Sequence, residues 1–68
     1  MQSGIVKMWD HSKGFGFITT DEDEDLFVHL SDLHVSIKNE RLREGQAVMF
    51  DIRRDMKGDR AINVRIRR

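Results

Sequence analysis

The chain has 68 residues, 38% of them apolar, and its twelve Lys and Arg balance twelve Asp and Glu, for a formal net charge of zero. So short a chain is expected to form a single domain over residues 1–68, which excludes a multidomain enzyme or a repeat array, and a core of this size rarely supplies more than roughly 3–5 kcal/mol of net stability, which leaves little for strained catalytic geometry. Cysteine is absent, which excludes disulfides and thiolate zinc and fits the cytoplasm; no apolar run nears the roughly 20 residues of a membrane span, and Met1-Gln2-Ser3-Gly4 is no signal-peptide core.

Apolar residues alternate with a period near two in five stretches, residues 4–9, 14–19, 25–30, 47–53 and 61–66, all rich in β-branched and aromatic side chains, and each predicts a strand. Residues 10–14 form the first connection, the acidic run 21–25 the second, residues 31–45 a long third and residues 55–59 the fourth. In the third, Leu33, Val35, Ile37 and Leu42 allow one short helical turn with Ser31 as its N-cap. Five short strands without a single proline to guard an edge predict an all-β, closed antiparallel barrel. Val6, Ile18, Leu26, Val28, Val48, Phe50, Ile52, Ile62, Val64 and Ile66 are its expected interior.

Strand alternation then places Phe15 and Phe17 on one face of the second strand, opposite Ile18, and Phe27 and His29 on one face of the third, opposite Leu26 and Val28. If the aliphatic residues fill the barrel, the rings face water, and bases stacking on them would gain roughly 1–3 kcal/mol each. The competing arrangement buries the rings and exposes the aliphatics. Gly14 and Gly16 flank Phe15 and give a flat ligand room, while Lys13 stands at the platform edge to meet a phosphate.

Lys13-Gly14-Phe15-Gly16-Phe17-Ile18 and Leu26-Phe27-Val28-His29-Leu30 resemble the two ribonucleoprotein motifs of the bacterial cold shock proteins. The likeness spans almost the whole chain, from Gly4-Ile5-Val6-Lys7 through Glu44-Gly45-Gln46-Ala47-Val48-Met49-Phe50 to Ala61-Ile62-Asn63-Val64. It implies a five-stranded OB-fold barrel that binds single-stranded RNA and DNA with low sequence preference and acts as an RNA chaperone. It further implies ligand contact by Lys7, Lys13, Phe15, Phe17, Asp25, Phe27 and His29, with Asp25 on a base edge and Lys57 as a basic loop residue.

The chain also departs from that family. Met8-Trp9-Asp10 stands where Trp-Phe-Asn is usual, Leu30 where Phe is common, and the segment 34–41 lacks the customary Phe, which predicts weaker binding. By alternation Trp9 shares a face with Lys7; it either completes the platform or tucks against the barrel end.

The remaining chemistry is thin. Asp21, Asp23 and Asp25 are spaced like calcium ligands, but the sixth position of that loop is Leu26 rather than Gly and the twelfth is Asp32 rather than Glu. His11, His29 and His34 do not form a zinc set, so neither metal nor cofactor is expected, and no residue pattern points to an enzyme. Arg60, Arg65, Arg67 and Arg68 form either a solvated face or an auxiliary phosphate track. The barrel is expected as a monomer or a weak homodimer, with a swapped dimer open to it through the long third connection, and the rival function is a protein-interaction or self-associating module that uses Met8, Leu30, Val35 and Ile37 as an exposed apolar surface.

Overall fold

Alternating β-branched and aromatic residues form strands β1 (Gln2–Asp10), β2 (Phe15–Thr20), β3 (Asp25–His29), β4 (Ala47–Arg53) and β5 (Arg60–Ile66) in a computed structural model that describes residues 1–37 and 42–67. Residues 38–41 of the long connection and Arg68 lie outside the described residues. The strands close in the order β1-β2-β3-β5-β4, and β4 pairs back onto β1. Four of the pairings are antiparallel, but β3 and β5 run parallel through Phe27↔Arg60, so the barrel is mixed rather than purely antiparallel. No helix among the described residues is long and apolar enough to cross a membrane.

Val6, Ile18, Leu26, Val28, Val48, Phe50 and Val64 fill the interior as expected, each at most 1% exposed. Ile52 and Ile66 are partly buried and pack against this cluster. Ile62 is not among them. Asn63 adopts a left-handed backbone (φ 52°), and Asn63 and Val64 together face Phe50 where the β4–β5 register shifts. That bulge breaks the alternation, so Ala61 and Val64 point inward and Ile62 is left half-buried outside.

The long connection contributes the rest of the core: Leu33, Ile37 and Leu42 are 2–3% exposed and close the barrel's end. It winds through two 3₁₀ turns, Leu30–Asp32 and Val35–Ile37, instead of one helical turn. His29, not Ser31, caps the first of them. Ile37 is therefore interior, whereas Leu30 (38%) and Val35 (75%) are exposed and Met8 is half-buried. Burial of Ile37 removes it from the apolar surface of the rival function, while Leu30 and Val35 remain exposed.

Tight turns set the ends of β2. Between β1 and β2 the Asp10 carboxylate accepts from Ser12 Oγ (2.7 Å) and the Lys13 N–H (3.1 Å), and Gly14 (φ 72°) reverses the chain. Those two hydrogen bonds, the Ser12 one first, lower the Asp10 pKa below its ordinary value. Between β2 and β3 the acidic tip wraps around Thr20, whose hydroxyl accepts from the N–H groups of Glu22 and Glu24, both at 3.2 Å, while the four acidic side chains 21–24 stay in water.

Candidate nucleic-acid interface

The register of β2 on β3 sets Phe15 opposite His29 and Phe17 opposite Phe27, on the outer face of the barrel. None of the three Phe rings belongs to the core; all are half-buried and His29 is exposed, so the arrangement with the rings as core does not occur. Phe15 lies nearly parallel to Phe27 (centroids 5.9 Å, 28°), and Phe17 meets Phe27 edge to face (5.9 Å, 74°). Phe27 is thus the hub of a continuous ring surface.

β1 completes the surface in an unexpected way. Val6 pairs with Ile18, yet Met8 pairs with Phe17, so Lys7 is an extra residue and the face that follows is inverted. Met8 therefore stands beside Phe17 on the outer face, and Trp9, paired with Gly16, turns to the inner face and packs against the core. The expected shared face of Trp9 and Lys7 is corrected by this bulge. Trp9 stays half-buried at the barrel end, its indole N–H donating to His11 Nδ1 at 3.4 Å.

Gly16 is needed for the same reason. A Cβ there would lie 2.2 Å from the Met8 carbonyl oxygen and 2.8 Å from Trp9 Cε3, so the glycine makes room for β1 rather than for a ligand. Gly14 owes its place to its positive φ, and its carbonyl accepts the Leu30 N–H (2.8 Å), which ties the first turn to the end of β3.

Charged groups frame the rings. Lys7 Nζ lies 2.7 Å from Asp25 Oδ2, and Thr19 Oγ1 donates to Asp25 Oδ1 at 2.9 Å, so two expected contact residues hold each other beside the platform. The Lys7 ammonium foremost, then the Thr19 hydroxyl, pull the Asp25 pKa below its ordinary value. Lys13 is exposed at the opposite end, in the β1–β2 turn. Lys57 lies on the far side of Phe27, where it helps line a hollow of about 320 Å³ with Phe27, Gly58 and Arg60.

His29 is held by its own turn. Its Nδ1 accepts the Ser31 N–H at 3.1 Å and lies 2.9 Å from Ser31 Oγ. A backbone N–H can only donate, so Nδ1 carries the lone pair and the ring proton sits on Nε2.

Of this frame, Asp32 had no place in the sequence-based site, and Arg60 entered it only as one arginine of an auxiliary phosphate track. Arg60 sets its guanidinium 5.9 Å from the Phe27 centroid and donates through Nη2 (2.6 Å) and Nε (3.2 Å) to Asp32 Oδ2. The same Asp32 oxygen accepts the His29 N–H at 3.1 Å, joining His29, the first 3₁₀ turn and β5. No local pattern reveals this link, because it depends on the parallel closure of β3 on β5. Arg65 and Arg67 are exposed at the other end of β5, away from the rings.

The 'Cold-shock' DNA-binding domain family matches residues 2–66. The chain is 46% identical over 65 residues to the cold shock protein ScoF of Streptomyces coelicolor, covering 94% of this chain and 96% of that protein. It is 44% identical over 63 residues to a cold shock-like protein of Thermotoga maritima (93% and 94%) and 41% identical over 64 residues to a major cold shock protein of Streptococcus pyogenes (94% and 94%). A closed barrel with outward rings on β2 and β3, matched from Gln2 to Ile66, places this chain in the cold-shock domain family, whose members bind nucleic acid.

Proposed function

We propose that the chain binds single-stranded RNA and DNA with little sequence preference by stacking bases on Phe15, Phe17, Phe27 and His29, and that it acts as an RNA chaperone that opens weak secondary structure. Lys7, Lys13 and Lys57 meet phosphates around the ring surface, Asp25 accepts from a base edge and Trp9 offers the exposed edge of its ring. The single observation that carries the reading is the ring surface itself. Three phenyl groups and an imidazole stand on the outside of a barrel whose interior is already full without them. Rings left half in water gain by a flat apolar partner, and unpaired bases supply one. Unpaired strands caught there are withdrawn from hairpins, which is the basis of the chaperone role.

The test is a titration of Trp9 emission with oligo-dT and oligo-U at two salt concentrations, for the wild type and for Phe15→Ala and Phe27→Ala. Saturable quenching that weakens with salt and is lost in both folded variants supports the proposal. Silence, together with a concentration-dependent sedimentation shift, overturns it in favour of a self-associating module.

A further inference from the structure

Strand register sets up a line that runs past the rings. Met8 pairs with Phe17, Phe17 with Phe27, Phe27 with Arg60, and Arg60 with Arg53 at the end of β4. The next pair, Ile52↔Ala61, turns inward, so Arg60 and Arg53 share the outer face with the rings. Residues directly opposite across antiparallel strands have neighbouring Cβ atoms, and like charges there repel. Arg60 is compensated by Asp32, whereas Arg53 is exposed and has no ion-pair partner among the described residues.

We infer that Arg53 and Arg60 form a phosphate-binding stretch that receives the sugar-phosphate backbone of a single strand as it leaves Phe27 and crosses β5 onto β4. The inference rests on the proposed base stacking and extends its footprint beyond the β2–β3 face. Three observations carry it. Asp32 engages only the Nε and one Nη2 hydrogen of Arg60, leaving three of the guanidinium's five N–H donors for oxygen acceptors. The hollow between Phe27, Lys57, Gly58 and Arg60 is open on the path from ring to arginine. Of the two acids that share its rim, Asp59 pairs with Arg54 and Asp55 accepts the Lys57 N–H (3.3 Å) while keeping its charge, and neither lies within ion-pair distance of Arg53. A phosphate between Arg53 and Arg60 would remove the repulsion of that pair.

The experiment compares a labelled oligo-dT of about four nucleotides, enough for the rings alone, with one of about ten, within the range of OB-fold site sizes. Affinities are measured from about 50 to 200 mM salt for the wild type, Arg53→Gln, Arg53→Lys and Phe27→Ala, and thermal unfolding checks that each variant is folded. For the longer strand, Arg53→Gln is expected to reduce the slope of log K against log salt by about 0.7, the share of one phosphate on a single strand, and Arg53→Lys to keep it. For the shorter strand the slopes should coincide. An Arg53→Gln slope equal to wild type on the longer strand, with Phe27→Ala still abolishing binding, overturns the phosphate stretch and leaves the stacking intact. No saturable binding by the wild type overturns both.

Discussion

Gly16 and Trp9 are cross-strand partners in contact so close that any Cβ on Gly16 would fall 2.9 Å from Trp9 Cα and 2.2 Å from the Met8 carbonyl oxygen. Backbone atoms cannot yield as a side-chain tip can. Gly16→Ala is expected to cost about 1–3 kcal/mol through forced displacement of β1 from β2. In a domain of this size that lowers the unfolding midpoint by roughly 4–8 °C per kcal/mol, which calorimetry or Trp9 emission will register.

Asn63 tests the bulge that moves Ile62 out of the interior. Its φ of 52° suits Asn or Gly and penalises a β-branched residue. Asn63→Val should cost about 1–3 kcal/mol, whereas Asn63→Gly, losing only the Asn63 Nδ2 to Asp51 Oδ2 hydrogen bond (3.2 Å), should stay within about 1 kcal/mol of wild type. Equal midpoints for the two variants in urea would contradict the left-handed assignment.

Asp32 joins the cap of the first 3₁₀ turn to Arg60 through a single oxygen, and its side chain is only 11% exposed. Asp32→Ala removes the acceptor of the His29 N–H and leaves Arg60 half-buried without its anion. A loss of about 2–4 kcal/mol is expected, more than a surface ion pair would contribute. Chemical denaturation measures it, and a loss below about 1 kcal/mol would show that the network is ornamental.

The Lys7–Asp25 pair fixes a pH dependence. Because the folded carboxyl of Asp25 titrates below its unfolded counterpart, the pair's contribution is present at neutral pH and disappears as pH falls through the lowered folded value. Carboxyl-detected NMR should place the Asp25 midpoint below the ordinary aspartate value, and Lys7→Met should move it up toward that value. An Asp25 midpoint that ignores Lys7→Met would contradict the ion pair.

Leu30 lies exposed beside Gly14, 3.5 Å from where a Cβ on that glycine would stand, at the edge of the ring surface. Leu30→Phe adds an aromatic face there without touching the core. Tighter binding of oligo-dT by about 1–3 kcal/mol, or roughly 5- to 150-fold in Kd, is expected from one more stacked base. Equilibrium titration of the two proteins side by side decides it.

The barrel and its outward rings were legible because alternation fixes which side chains share a face, and Phe15, Phe17 and Phe27 fall on faces opposite Ile18, Leu26 and Val28. Alternation fails wherever a residue is inserted. The bulge at Lys7 exchanged the sides of Met8 and Trp9, and the one at Asn63 put Ala61 inside in place of Ile62 while Val64 stayed inside as expected. Neither has a strong local signal: Lys7 is an ordinary strand residue, and Asn63 lies within an otherwise β-rich run. The Arg60 contacts with Phe27 and Asp32 were hidden for a different reason. They join positions 28 and 33 residues apart by way of a parallel pairing that short-range patterns do not encode.

The parallel pairing of β3 with β5 consists of one register match, Phe27↔Arg60, with a separate bridge at Leu33↔Val64. Elsewhere the strands are stitched by longer antiparallel ladders, so the narrowest seam of the barrel runs directly beneath the rings. An oligonucleotide laid across Phe27 and Arg60 would bridge that seam from outside, like a splint over a joint. Occupancy and the integrity of the wall then become a single coupled equilibrium, in which a saturating ligand slows amide exchange at Phe27 and Ala61 before it alters any strand farther round.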